Sequence, residues 1–129
     1  MGCCPSKQKA TGSEQSDNAI VIELLDVVRD AKALDPAYPT GLVLARAERS
    51  LEDVLSAGVA IDALSIAKQL VKATQHLHER GIVWADCKPA NFLQLVNLAG
   101  IPRYVVCDLD SARLKGEPLS ECITPQYMP

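Results

Sequence analysis

Apolar positions in this chain fall into short blocks separated by polar stretches and by Pro or Gly breaks. Ala19 to Val28 is rich in Ile, Val and Leu around a central Glu23, and periodicity alone permits either a helix or a strand there. Asp35-Pro36 and Tyr38-Pro39 mark a turn, because proline fixes its own φ and restricts its predecessor. The run Gly41-Leu42-Val43-Leu44 suits a buried strand. Ser50-Leu51-Glu52-Asp53 opens a helix with a serine cap and an acidic first turn, and Gly58 ends it. The strongest periodicity runs from Ile61 to Glu79. Ile61, Leu64, Ala67, Leu70, Val71, Thr74 and Leu77 recur at three- and four-residue steps and predict one apolar helix face, closed by Arg80-Gly81. Phe92 to Leu95 and Arg103 to Cys107 then predict two strands, joined across Val96 to Pro102 by a segment holding Asn97 and Gly100, which fits a hairpin. The fold class read from this order is α+β.

The totals narrow the function classes. At 129 residues the chain is one domain at most, with a modest core. A net charge of −3 with no basic stripe gives no reason to expect a nucleic-acid partner. No apolar run approaches the ~20 residues that span a bilayer, and the N-terminus lacks the apolar core of a secretory signal. The five cysteines form no CxxC pair, and an odd, scattered set argues for a reduced, intracellular compartment. His76 and His78 lie two apart on the long helix, point in different directions, and read as solvated or capping side chains.

Met1-Gly2-Cys3-Cys4-Pro5-Ser6 fits the pattern for N-myristoylation of Gly2, with Cys3 and Cys4 as palmitoylation sites and Lys7 and Lys9 nearby. One myristoyl chain binds membranes only marginally, at about 10⁴ M⁻¹, so a second acyl chain is what makes anchoring stable. Residues 1–17 read as a lipidated, flexible tether that places the rest of the chain at the cytoplasmic face of a membrane.

The densest chemistry lies in Val83-Trp84-Ala85-Asp86-Cys87-Lys88-Pro89-Ala90-Asn91, followed after the hairpin by Asp108-Leu109-Asp110. An Asp, a Lys two residues on and an Asn five residues on can converge on one phosphoryl group. A second Asp at the end of a returning hairpin can join them. This order resembles the catalytic and metal-binding loops of the protein kinase family, and the resemblance spans about residues 18–129. Asn18 to Leu25 is similar to the family's fourth strand and Leu42-Val43-Leu44 to the strand entering its hinge. Thr124-Pro125-Gln126-Tyr127-Met128-Pro129 is similar to the segment that closes the activation loop.

The resemblance implies roles, position by position. Asp86 would orient or accept the proton of a substrate hydroxyl, and Lys88, the residue of the serine/threonine branch, would neutralise charge on the transferring phosphoryl group. Asn91 and Asp108 would hold magnesium. Ala45, Arg46 and Ala47 would form the hinge beside adenine, Leu93 the floor beneath it, and Thr124 a buttress for Asp86 and Lys88. ATP and Mg are the implied cofactors, and a protein substrate or partner protein the implied macromolecular partner.

Several positions depart from the family pattern. Trp84-Ala85 stands where the family has His-Arg, which removes the usual partner of a phosphorylated activation loop. Leu109 replaces a Phe, and Asp110 replaces a Gly, adding negative charge and losing backbone freedom. Nothing before Asn18 offers a Gly-rich loop, a phosphate-binding Lys or its Glu partner. A complete kinase domain needs roughly twice the ~100–150 residues typical of a domain. The expectation is therefore a partial kinase-like domain over 18–129, truncated at both ends, with hinge strands, the helical start of the lower lobe and its catalytic hairpin. Two functions follow from it: a serine/threonine kinase-like domain with little activity as this chain alone, or a membrane-tethered, non-catalytic pseudokinase-type binding module.

Overall fold

The computed structural model describes residues 19–29, 37, 40–118 and 124–127. The lipidation motif, the turn at Asp35-Pro36 and Tyr38-Pro39, and Met128-Pro129 lie outside them. Among the described residues the chain mixes helix and strand, as the α+β reading expects. The ambiguous first block resolves into an extended segment, 19–23, and strand β1 (Leu24–Arg29), which pairs antiparallel with β2 (Thr40–Leu44). This pair leaves Leu24, Leu25, Val27, Leu42, Val43 and Leu44 exposed.

The centre of the fold is a three-stranded antiparallel sheet in the order β3 (Arg49–Ser50), β5 (Phe92–Val96) and β6 (Pro102–Val106). Segment 19–23 lies against its far edge: Ile22 N donates to Val106 O and Val106 N to Ile20 O, both at 2.8 Å. Pro102 opens β6 at a strand start, where its missing N–H costs least. The loop between β5 and β6 is built by Asn97, whose Oδ1 accepts from the amides of Ala99 and Ile101. Gly100 takes a φ of +77° there, a value that glycine adopts without strain.

Helix α1 (Leu51–Ser56) starts at a complete capping box. Ser50 Oγ accepts from Asp53 N, and Asp53 Oδ2 accepts in return from Ser50 N. Helix α2 (Ala63–Glu79) is capped by Asp62, whose carboxylate accepts from Ser65 N. Two short strands, β4 (Ile82–Trp84) and β7 (Ala112–Leu114), pair antiparallel and carry the chain into and out of the segment that holds Asp86 and Asn91.

The apolar face of α2 differs from the expected one. Ile66, Ala73 and Leu77 enter the core, with Leu70 packed against it, whereas Leu64 and Val71 are 65% and 67% exposed. The helix carries two apolar stripes, and a count of three- and four-residue steps merges them into one. The buried stripe meets Leu51, Val54, Trp84, Phe92, Tyr104 and Val106 in a single cluster. That cluster is the platform on which the polar site rests.

Candidate functional site

Trp84, at the end of β4, aims the chain into the site. It is buried with its ring edge-on to Phe92, centroids 5.2 Å apart at 77°, and its indole N–H donates to the carbonyl of Asp108 at 3.1 Å. One side chain thus ties the strand before Asp86 to Asp108, two residues past β6. Pro89 then starts a single 3₁₀ turn, Pro89–Asn91, which places Asn91 five residues beyond Asp86 and facing it. Asn91 Nδ2 donates to both the carbonyl of Asp86 (2.9 Å) and its Oδ2 (3.0 Å).

Asp86 is the hub. Its Oδ2 also pairs with Lys88 Nζ at 2.7 Å, and its Oδ1 accepts from Thr124 Oγ1 at 2.6 Å and from Thr124 N at 3.3 Å. Lys88 Nζ closes the triangle by donating to Thr124 Oγ1 at 2.9 Å. Four donors therefore meet the four lone-pair directions of one carboxylate. The side chains of Asp86 and Lys88 are 12% and 25% exposed, so the pair is sheltered without being sealed. The hydrogen bonds from Lys88 and then Thr124 hold the Asp86 carboxyl down at about 2, and the same bond to Asp86 raises Lys88 above its ordinary value.

This fixes a pH dependence. The folded-state pKa of about 2 lies below the ordinary 3.8, so the stabilisation is fully present above about pH 4 and is lost as pH falls through about 2. With the solvent that reaches Lys88 allowed for, it amounts to about 1–2 kcal/mol. Urea midpoints measured from pH 6 to pH 2 are expected to fall more steeply for the native chain than for Asp86→Asn. Parallel curves would contradict the assignment.

Asp108 reaches the same neighbourhood from the hairpin. Cys107 N donates to Asn91 O at 2.9 Å, so Asp108 leaves the sheet one residue beyond a direct contact with Asn91. It is the one non-glycine residue with positive φ among those described, at 57°. That conformation costs an L-residue about 1 kcal/mol or more, and Asp tolerates it through local hydrogen bonding. Here Asp108 Oδ1 accepts from Asp110 N at 3.3 Å. The thiols on either side of the site, Cys87 and Cys107, are both pushed up by burial and then by a neighbouring aspartate, which disfavours the reactive thiolate.

Of the residues singled out from sequence, Asp86, Lys88, Asn91 and Thr124 form one bonded cluster, with Asp108 beside it. Ala45, Arg46 and Ala47 form the link between the outer strand pair and the central sheet. Ala45 N bonds to Glu23 O at one end of that link, and Glu48 N to Gln94 O just past the other, at 2.9 Å each. Leu93 is half-buried in β5, opposite Ser50 and Val105. Gly2, Cys3 and Cys4 lie outside the described residues. Sequence reasoning missed the hydrogen bond from Trp84 to Asp108; an aromatic N–H two residues before the hub was the available signal. No protein-family model matches the chain, and a search of curated proteins finds no significant match.

The donor set suits a hard cation. Among the described residues nothing donates to Asn91 Oδ1, and Asp108 presents an exposed carboxylate, so both offer oxygen. No group of three or more His, Cys, Asp or Glu able to hold a metal occurs among those residues. Two oxygen side chains match magnesium, which is bound through one or two carboxylates together with substrate phosphates rather than in an all-protein cage.

Proposed function

We propose that this chain carries the catalytic face of a serine/threonine kinase-like phosphotransferase. The observation that supports it is the seating of a hydroxyl, Thr124 Oγ1, against the Asp86 carboxylate with Lys88 shared between them. The fold reading that goes with it is a partial protein-kinase-like domain over 18–129, in which 45–47 is the hinge and Leu93 the adenine floor. Asn91 and Asp108 would hold magnesium, which when bound neutralises charge on the phosphates of ATP.

The chain's own residues then divide the work. Asp86 positions the substrate hydroxyl and takes its proton late, consistent with a carboxyl held too low to be a strong base at neutral pH. Lys88, kept protonated by Asp86, offsets negative charge on the phosphoryl group in flight. Asn91 is locked by its double donation to Asp86, so its oxygen keeps one direction.

A second reading is favoured by the same hub. All four acceptor directions of Asp86 are filled from within the chain, so an incoming hydroxyl must displace a donor, and Asp110 adds charge beside Asp108. A non-catalytic, pseudokinase-type module that binds a partner protein would have this arrangement. Phosphate transfer from labelled ATP to a serine-rich protein separates the two. The catalytic reading expects a weak signal, about tenfold above Asp86→Asn. Equal signals from the native chain, Asp86→Asn and Asp108→Asn would leave the non-catalytic reading.

The motif at Gly2, Cys3 and Cys4 supports a place at the cytoplasmic face of a membrane through acyl chains. No helix among the described residues is long and apolar enough to cross one. A native intact mass without acyl additions would overturn the anchoring proposal.

A further inference from the structure

A recess lies where β3, α1, the 57–62 connection, the start of α2 and the β5–β6 hairpin meet, and it encloses about 240 Å³. It shares no residue with the Asp86 cluster and does not depend on the kinase reading. Val54, Val59, Ile61, Ile66 and Pro102 supply an apolar wall and Arg49, Gln94 and Tyr104 a polar end, while Asp62, Ser65 and Gln69 line the side formed by the start of α2.

That polar end is built from a directed chain of hydrogen bonds. Arg49 Nε donates to Gln94 Oε1 at 2.9 Å, which fixes the amide so that Gln94 Nε2 donates to the Tyr104 hydroxyl oxygen at 3.0 Å. The hydroxyl is the acceptor in that bond, and its own proton has no acceptor among the described residues. Tyr104 is only 7% exposed and lines the recess. The guanidinium of Arg49 has no carboxylate within ion-pair distance among the described residues. Asp53, hydrogen-bonded to Ser50, lies near enough to feel the Arg49 charge, and Asp62, which lines the recess, accepts from Ser65 N. A hydroxyl proton without a protein acceptor and an exposed guanidinium without an ion pair therefore stand at one end of the recess.

We propose that this recess binds a small monocarboxylate with a short apolar tail. The carboxylate accepts from the Arg49 terminal nitrogens and from the Tyr104 hydroxyl, and the tail lies along Val54, Val59 and Ile66. At ~30 Å³ per water-sized group, the volume holds roughly eight heavy atoms, the size of a six-carbon acid.

Titration of the full chain with hexanoate, hexanol and hexylammonium, followed by backbone amide shifts, tests this. Hexanoate is expected to bind with a Kd of about 1 mM or tighter, shifting Val54, Val59, Ile61 and Ile66, and to bind at least about tenfold more tightly than the other two. Arg49→Gln should weaken it by about tenfold and Tyr104→Phe by about threefold, while Val59→Trp, a change at an exposed wall position, should block it. Equal binding of hexanol or hexylammonium, shifts confined to other residues, or an Arg49→Gln variant that binds normally would overturn the proposal. If Arg49→Gln does not fold, the three-ligand comparison and the shift map on the native chain decide the outcome alone.

Discussion

Trp84→Ala is expected to leave the chain unfolded. Truncating a buried tryptophan costs about 3–5 kcal/mol, as much as the lower part of the 5–15 kcal/mol range that holds a small domain together. The ring is edge-on to Phe92 within the core cluster of the described residues, so the loss falls at the centre of the packing. Trp84→Phe separates the two functions of the side chain. It keeps most of the apolar contact but removes the N–H that holds the Asp108 carbonyl, at a cost of about 1 kcal/mol. Circular dichroism under urea should show no native baseline for the alanine variant and a modestly lowered midpoint for the phenylalanine variant. An alanine variant that unfolds like the native chain would contradict the packing described.

The second large effect is at the hub. Asp86→Ala strips Lys88 of its partner and Thr124 of its acceptor, and about 2 kcal/mol of stability should go with it. The 3–5 kcal/mol typical of breaking a fully buried pair does not apply, because Lys88 can turn into solvent. Thr124→Ala should cost about 1 kcal/mol. The double variant should cost less than the sum by about 0.5–1 kcal/mol, since both changes remove the same contact. Strict additivity in urea midpoints would show that Thr124 does not sit on Asp86 in solution.

These effects show which parts of the structure were legible in the sequence. Local signals worked where the chemistry is local. Ser50 with Asp53 announced α1, Asn97 and Gly100 announced the hairpin loop, and the spacing of Asp86, Lys88 and Asn91 announced a cluster, which the structure closes with one 3₁₀ turn. What depends on partners distant in the chain was not legible. Strands β4 and β7 have three residues each, too few for a period, and exist because Trp84 and Ala112 are brought together by the core. Segment 19–23 is ordered by β6 through Val106, more than 80 residues away, not by its own pattern. The burial of Ile66 in preference to Leu64 on α2 follows from where β6 crosses the helix, which no count along the helix contains.

The proximity of Asp108 to Asn91 was anticipated from the hairpin alone, whereas its left-handed backbone and its tie to Trp84 were not. Backbone strain at a polar residue beside a charge cluster is a feature of functional sites. Asp108 is also the residue on which the proposed magnesium site depends most.

In the proposed function Asn91 and Asp108 offer oxygens to a magnesium–phosphate group beside Asp86. Calorimetric titration of ATP into the native chain, with and without magnesium, tests it most directly, with Asp108→Asn as the comparison. The expected result is weak binding, with a Kd of about 1 mM, that requires magnesium and weakens by about tenfold in Asp108→Asn. No detectable heat with magnesium present, or binding that is the same without magnesium and in Asp108→Asn, would contradict it.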